Sequence, residues 1–528
     1  MSRGARLLLT VLVTLAAVGL APSGATAAER TVTYTVSTRG AVVGDLGHFA
    51  AVAREAFTDP RGWSLGGALA FQQVSSGSDF DLILASPSVI AAASPGCSAQ
   101  WSCRVGRSVY INDERWRFGT ASWPHGIDTY QRYVINHEVG HWIGIPHTDC
   151  PTAGRTAWVM QQQSISLQGC TANVWPVIEE RAQAAQRMGV PVYWTLVELR
   201  YMSLVNGGIP LGLPTTWEHM APDGGRHQHF SGLEGASIFW SARTGVHEIY
   251  GPIRDEYERW GWNQGLLGYP TTGQFPTRDG QYSHFEGLEG ASIFWSPRTG
   301  LHEVYGPIRD RWEQWGWAEG LLGFPTSDQF PTRDGQYSHF EGLEGASIFW
   351  SPRTGLHEVY GPIRDRWEQW GWAEGLLGFP TSDQLPTADG IGQYSHFEGL
   401  EGASIFWSAA TGVHEVYGPI RDRWEALGWE QGPLGYPTSD QLPTADGIGQ
   451  YSHFSGSGGA SIFSTGGTGA HEVYGPIRDR WAELGWEQSE LGYPVTGVRD
   501  VPGGSRVEFQ GGTITLDAAT GEIEVVLG

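Results

Sequence analysis

The chain has 528 residues, a net charge of −23, 75 glycines, 25 tryptophans and four cysteines. That length exceeds what one hydrophobic core supports, so at least two domains are expected. Lysine is absent, and the acidic balance argues against a nucleic-acid partner.

In chain order, residues 1–28 read as an export signal. Arg3 and Arg6 give a positive start, Leu7 to Leu20 an apolar run, and Ala25-Thr26-Ala27-Ala28 a small-residue cleavage site. No later stretch approaches the roughly 20 apolar residues of a membrane span. A secreted protein with no retained span is therefore expected. Residues 29–190 then show a mixed pattern. Thr31 to Ser37, Ala68 to Ser75, Phe80 to Ala85 and Ser108 to Asn112 read as strands, and Gly47 to Phe57 as a helix. Asp128 is suited to cap a helix running to Ile143, and another helix is expected near Val177 to Met188. The order suits an α+β domain.

The most informative segment lies on that helix: His137-Glu138-Val139-Gly140-His141-Trp142-Ile143-Gly144-Ile145-Pro146-His147. Residues four apart share a helix face, so His137 and His141 can direct two imidazoles at one ion. Gly144 can end the helix in the left-handed conformation and let the chain reverse, bringing His147 in as a third ligand. Glu138 is placed to reach a metal-bound water without being a ligand. One zinc per chain is expected, with its fourth position open. The motif resembles that of the metzincin zinc peptidases, which carry a methionine turn beneath the metal; the resemblance makes Met160, thirteen residues after His147, the candidate for it, against the alternative of an ordinary core methionine.

Cys97, Cys103, Cys150 and Cys170 form an even set in an exported chain, so disulfides are expected. Three pairings exist; nearness in sequence favours Cys97–Cys103 and Cys150–Cys170. Cysteine as a zinc ligand is the competing reading, which three histidines make unnecessary.

After a linker at 191–196, residues 197–528 repeat. Leu-Gly-(Leu/Phe/Tyr)-Pro begins at Leu211, Leu267, Leu322, Leu377, Leu434 and Leu491, and Phe275–Gln329 is identical to Phe330–Gln384. Six units are expected, worn at both ends, with Val197 to Tyr201 as a degenerate first helix. Within one unit, Gln336–Phe340, Ala346–Trp350 and Leu356–Tyr360 read as strands, and Ile363 to Trp370 as a helix opened by Pro362. Trp367 and its equivalents read as core. Trp317 and Trp372, in glycine-flanked loops, read as exposed aromatics able to stack on a sugar. His339, His357 and their equivalents recur in every unit, which favours architecture over metal binding.

Asp59–Trp63, Leu84–Pro87, Ser102–Arg107 and Val159–Gln163, with the histidine motif itself, resemble an uncharacterised actinobacterial family of zinc-peptidase-like proteins. The resemblance implies a zincin-like fold and a secreted peptidase. Several metzincins carry a tyrosine after the turn methionine that stabilises the oxyanion; here Gln161, Gln162 and Gln163 follow, and Gln162 is the candidate donor. The repeats resemble LGFP repeats of actinobacterial envelope proteins, which implies attachment to the cell wall through its polysaccharide. Together these lead to an expectation of a secreted, wall-associated zinc endopeptidase acting on protein or peptide. The alternatives are a hydrolase of wall peptide cross-links and a non-catalytic adhesive protein with a vestigial peptidase domain.

Overall fold

The computed structural model describes residues 28–456 and 458–528, so the expected export signal, save its last residue, lies outside the described residues. No helix among the described residues is long and apolar enough to cross a membrane. The chain divides into two compact units. The first holds the described residues up to Gly207 together with Leu213–His219, and the second holds Gly208–Gly212 and Met220–Gly528.

In the first unit, β1 (Arg30–Arg39) and β2 (Leu69–Gln73) flank the helix α1 (Leu46–Thr58), whose first turn is capped by the Asp45 carboxylate accepting from the His48 N–H. β3 (Phe80–Ala85) is buried along almost its whole length, as a parallel strand covered on both faces should be. After α2 (Pro87–Ala93) come β4 (Cys103–Val105) and β5 (Ser108–Asn112). The sheet order is β2-β1-β3-β5-β4; the first four strands are parallel and β4 runs antiparallel along the edge. The helices α3 (Asp113–Phe118), α4 (Ile127–Ile143) and α5 (Ile178–Met188) follow. Phe49 and Phe57 of α1, Leu82 and Leu84 of β3, and Tyr133 and Val139 of α4 share one core.

Three expectations need correction here. Asp128 does not cap α4: the cap position is Gly126, and Asp128 lies in the first turn, where its charge still favours the helix N-terminus. Residues 197–206 do not open the array. They form α6 (Leu196–Asn206) within the first unit, held by a Thr195/Glu198 capping box and by an ion pair from Glu198 to the fully buried Arg181. The segment expected as a linker therefore leads into a helix that belongs to the first unit. The short α2, α3 and β4 were not anticipated. α3 is fixed by the Asn112 side chain, which accepts from two of its free N–H groups, and β4 is tied by a disulfide.

In the second unit, each repeat from residue 275 onward adds a four-stranded antiparallel sheet whose strands follow sequence order. In one repeat these are Phe330–Pro331, Gln336–Phe340, Ala346–Ser351 and Gly355–Tyr360, followed by the helix Gly361–Gln369 with Pro362 in its first turn. Only the two-residue edge strand goes beyond the sequence expectation. The first repeat contributes Arg226–Phe230, Ala236–Ser241 and Gly245–Tyr250, and the last sheet closes with Ile523–Leu527.

The hydrophobic cores lie between repeats. Phe294, Val304, Ile308, Trp312 and Leu322 of one repeat pack with Phe340, Ala346 and Ile348 of the next. Trp312, Trp367, Trp424 and Trp481 are fully buried at these junctions, as core tryptophans should be. Each of the first three donates its indole N–H to a glycine carbonyl, that of Trp367 to Gly378 at 3.1 Å.

Candidate metal centre and active-site cleft

α4 carries His137, Glu138 and His141 on buried or half-buried turns and ends at Gly144, whose φ of 100° is the left-handed value expected of a glycine terminator. The Gly144 N–H returns to the Gly140 and His141 carbonyls. The chain then reverses, and His147 comes back over the helix. Its Nε2 lies 3.2 Å from His137 Nε2 and 2.9 Å from His141 Nε2.

The other nitrogens of the helical pair are already engaged. His137 Nδ1 donates to the Val159 carbonyl at 2.8 Å and His141 Nδ1 to the Ile145 carbonyl at 2.9 Å. These bonds fix the tautomers and leave Nε2 lone pairs pointing at a common spot. Burial, then the neighbouring histidines, pushes His137 down to about 3 and His141 to about 4, so both rings are neutral as metal ligation requires. With His147 Nε2 between them, the Nε2 atoms of His137 and His141 make a three-nitrogen donor set that a cation would satisfy. His137, His141 and His147 form the single group of metal-capable side chains of this kind among the described residues. Three imidazoles of this donor chemistry fit zinc.

Glu138 is buried beside them and lines the same cleft, which encloses about 440 Å³. Burial raises its carboxyl to about 8, with Arg104 pulling the other way. Arg104 also lines the cleft and donates to the His141 carbonyl at 2.9 Å.

Met160 is wholly buried against α4. A methyl group on Gly140 would meet Met160 Sδ at 2.3 Å, so the glycine is the recess that receives the thioether. The three glutamines after it divide their roles. Gln161 and Gln163 are buried and bind backbone: Gln161 Nε2 donates to the Leu167 carbonyl, and Gln163 bonds Asn173 through both amide atoms. Gln162 is exposed on the cleft, and its amide has no hydrogen-bond partner among the described residues. Both disulfides join neighbours in sequence, Cys97–Cys103 beside the cleft and Cys150–Cys170 across the ends of the Met160 segment.

Trp317 and Trp372 are not the exposed platforms expected from their loops. Each has a positive φ of 58°, which turns its ring inward. Trp317 stacks on Phe294 at 5.9 Å and meets His284 at 5.1 Å, with the Arg309 guanidinium 4.9 Å from its ring centre; Trp372 repeats this with Phe349, His339 and Arg364. One of the two recurring histidines of each repeat is part of the same arrangement. Arg309 Nε donates to Ser292 Oγ, which faces His284 Nδ1 at 2.6 Å, and the same chain recurs at His339, His396 and His453.

Comparison with known families agrees with this repeating plan. The stretches 211–265, 267–320, 322–375, 377–432 and 434–489 each match the LGFP repeat, more than half of the chain in all. The chain belongs to the LGFP-repeat family. Its N-terminal part, residues 9–184, matches a second family, described as "Protein of unknown function (DUF3152)". The sixth sheet, from Arg499 to Leu527, follows the last matched LGFP stretch. No curated protein matches the chain. Among solved structures, an archaemetzincin from Methanopyrus kandleri aligns at 13% identity over 32% of this chain and 99% of its own, with a TM-score of 0.22. A putative 6-phosphogluconolactonase from Bacteroides uniformis aligns at 11% identity over 58% of this chain and 83% of its own, with a TM-score of 0.10.

Two residues of the DUF3152 region's site were not found by sequence reasoning. Glu180 is wholly buried, and its carboxylate accepts from the backbone N–H groups of Val159 (3.0 Å), Met160 (2.8 Å) and Val177 (2.9 Å). Since the Val159 carbonyl receives His137, Glu180 positions both the methionine and the first histidine. Its place three residues into α5 was the available signal. Tyr133, one turn before His137, accepts from the Gln163 N–H and donates to the Gln161 carbonyl, both at 2.9 Å, pinning the segment that presents Gln162.

Proposed function

We propose that this LGFP-repeat protein is an exported zinc-dependent endopeptidase held at the cell envelope by its repeats. The observation that supports it most is the convergence of three neutral imidazoles on one point, beside a buried carboxylate that is not one of them. When bound, zinc would acidify a water and polarise the scissile carbonyl. Glu138, buried beside the three imidazoles and not one of them, would serve as the proton carrier, accepting at its carboxylate and returning the proton to the leaving amine. Gln162, with its free amide at the cleft, is the donor we assign to the oxyanion. Glu180 and Tyr133 hold the ligand and donor segments in place. The LGFP repeats supply retention in the wall, with its polysaccharide as the proposed ligand.

Metal analysis and a protease assay on the full chain test this reading. One zinc per chain is expected, with cleavage abolished by a chelator. Glu138→Ala should keep the zinc and lose cleavage; full cleavage by that variant would end the mechanism. Digestion of native envelope proteins in parallel with cross-linked wall peptides identifies the substrate class, protein cleavage being the expected result.

A further inference from the structure

Three successive repeat junctions are closed by an arginine. Arg366 donates from Nε and Nη2 to the two carboxylate oxygens of Glu415, at 2.6 and 3.0 Å, and also pairs with Asp440, which meets His414 Nδ1 at 2.8 Å. Arg311 holds Glu358 at 2.8 Å and pairs with Asp383 beside His357. Arg423 grips Glu472 through bonds of 2.6 and 2.9 Å. The three glutamates are no more than 4% exposed, and the fork of the guanidinium is what makes their burial tolerable.

The junction before these lacks its arginine. Glu256 occupies the position that Arg311 takes one repeat later. The receiving side is unchanged: Glu303 is 7% exposed, and Asp328 lies beside it with His302 Nδ1 at 2.8 Å. Among the described residues no basic group pairs with Glu303. Arg259, on the same helix as Glu256, pairs with Glu256 instead. Burial, then the charges of Asp328 and Glu256, raises the Glu303 carboxyl above the usual carboxylate range. Where the other junctions have a guanidinium, this one has an open cleft of about 650 Å³, lined by Glu256, Arg259, Trp260, Leu266 and Glu303 among others.

We infer that this cleft receives a guanidinium from another molecule, the arginine side chain of a polypeptide partner, held by Glu303 as the neighbouring repeats hold their own arginine. The planar fork suits a site whose equivalents bind guanidinium through two oxygens, and Trp260 offers a ring edge or face in the same cleft. An alkylammonium lacks that fork.

Equilibrium dialysis of the full chain against agmatine, with cadaverine as the ammonium control, tests the assignment. One agmatine per chain is expected, with affinity in the millimolar range (about 1 mM) that a small fragment can reach, and cadaverine weaker by about tenfold. Glu303→Gln and Glu256→Arg should each lower agmatine binding by about tenfold or more. Glu256→Arg fills the site from within the chain, so it should also raise the thermal midpoint, a result that does not depend on Glu303→Gln folding. An arginine-containing peptide should compete with agmatine, and its lysine counterpart should not. Absence of agmatine binding, equal binding of cadaverine, or undiminished binding by Glu256→Arg would each overturn the inference. Saturation by calcium chloride in place of agmatine would make the cleft a metal site and overturn it too.

Discussion

Gly140→Ala sets two opposing effects against each other at the centre of the site. In a helix interior, alanine is favoured over glycine by about 1 kcal/mol, so propensity alone predicts a gain. Here the added methyl would meet Met160 Sδ at 2.3 Å, Trp63 Cζ2 at 2.9 Å and Met160 Cε at 3.3 Å, where ordinary contact begins at 3.4 Å. Trp63 cannot yield, because it is fully buried and its indole N–H is bonded to the Asn136 carbonyl at 2.8 Å. Met160 is held through its backbone by Glu180. Overpacking of this kind costs about 1–3 kcal/mol, so after the propensity gain the net effect should be destabilising by up to about 2 kcal/mol. Hydrogen exchange of peptides spanning 127–143 in the full chain reads this locally, free of the repeats. Met160→Ala removes the closest obstacle but leaves the 2.9 Å approach to Trp63, so in that background Gly140→Ala should cost less, a coupling of about 1 kcal/mol or more. Added protection in Gly140→Ala alone, or a cycle without coupling, would refute the packing of thioether into glycine.

Removing the Cys150–Cys170 disulfide, which closes a loop of sequence separation 20, should cost roughly 3 kcal/mol and loosen the Met160 segment, visible as faster exchange over 150–170. His284, His339, His396 and His453 are pushed down to about 4 by burial and then by the adjacent arginines. Unfolded, they titrate near 6.5, so between about pH 6.5 and 4 the unfolded chain binds more protons. Their contribution to stability is therefore present above pH 6.5 and lost as pH falls toward 4. Urea midpoints should fall over that window, and less so in a chain with these four histidines changed to asparagine; an unaltered slope would show that they do not control it. The full chain should sediment with purified cell-wall polysaccharide, and deleting repeats should weaken retention more steeply than in proportion. Retention unaffected by removing repeats would place the wall contact elsewhere.

The parts of this molecule legible in sequence were those set by short-range geometry. His137 and His141 are paired by the helical repeat, Gly144 ends the helix by backbone freedom, and Pro362 opens a helix for the same local reason. What escaped depends on contacts across the chain. Glu180 acts from α5 on a loop twenty residues earlier, and Arg104 reaches α4 from the edge strand β4. Trp317 was misread because its glycine neighbours suggested an open loop, whereas its positive φ folds the ring onto Phe294. α6 was assigned to the wrong unit because its tie to Arg181 leaves no periodic trace.

Since each hydrophobic cluster is shared by two consecutive repeats, a repeat brings half of the interface before it and half of the one after. Two adjacent copies that are identical over 55 residues, as Phe275–Gln329 and Phe330–Gln384 are, can therefore be gained or lost by exchange between copies without any new surface having to be fitted. The array can change length in whole steps while every internal seam stays the same. The seam that carries Glu256 is the exception: copying its neighbours cannot regenerate it, so it marks a fixed address in an otherwise extensible chain.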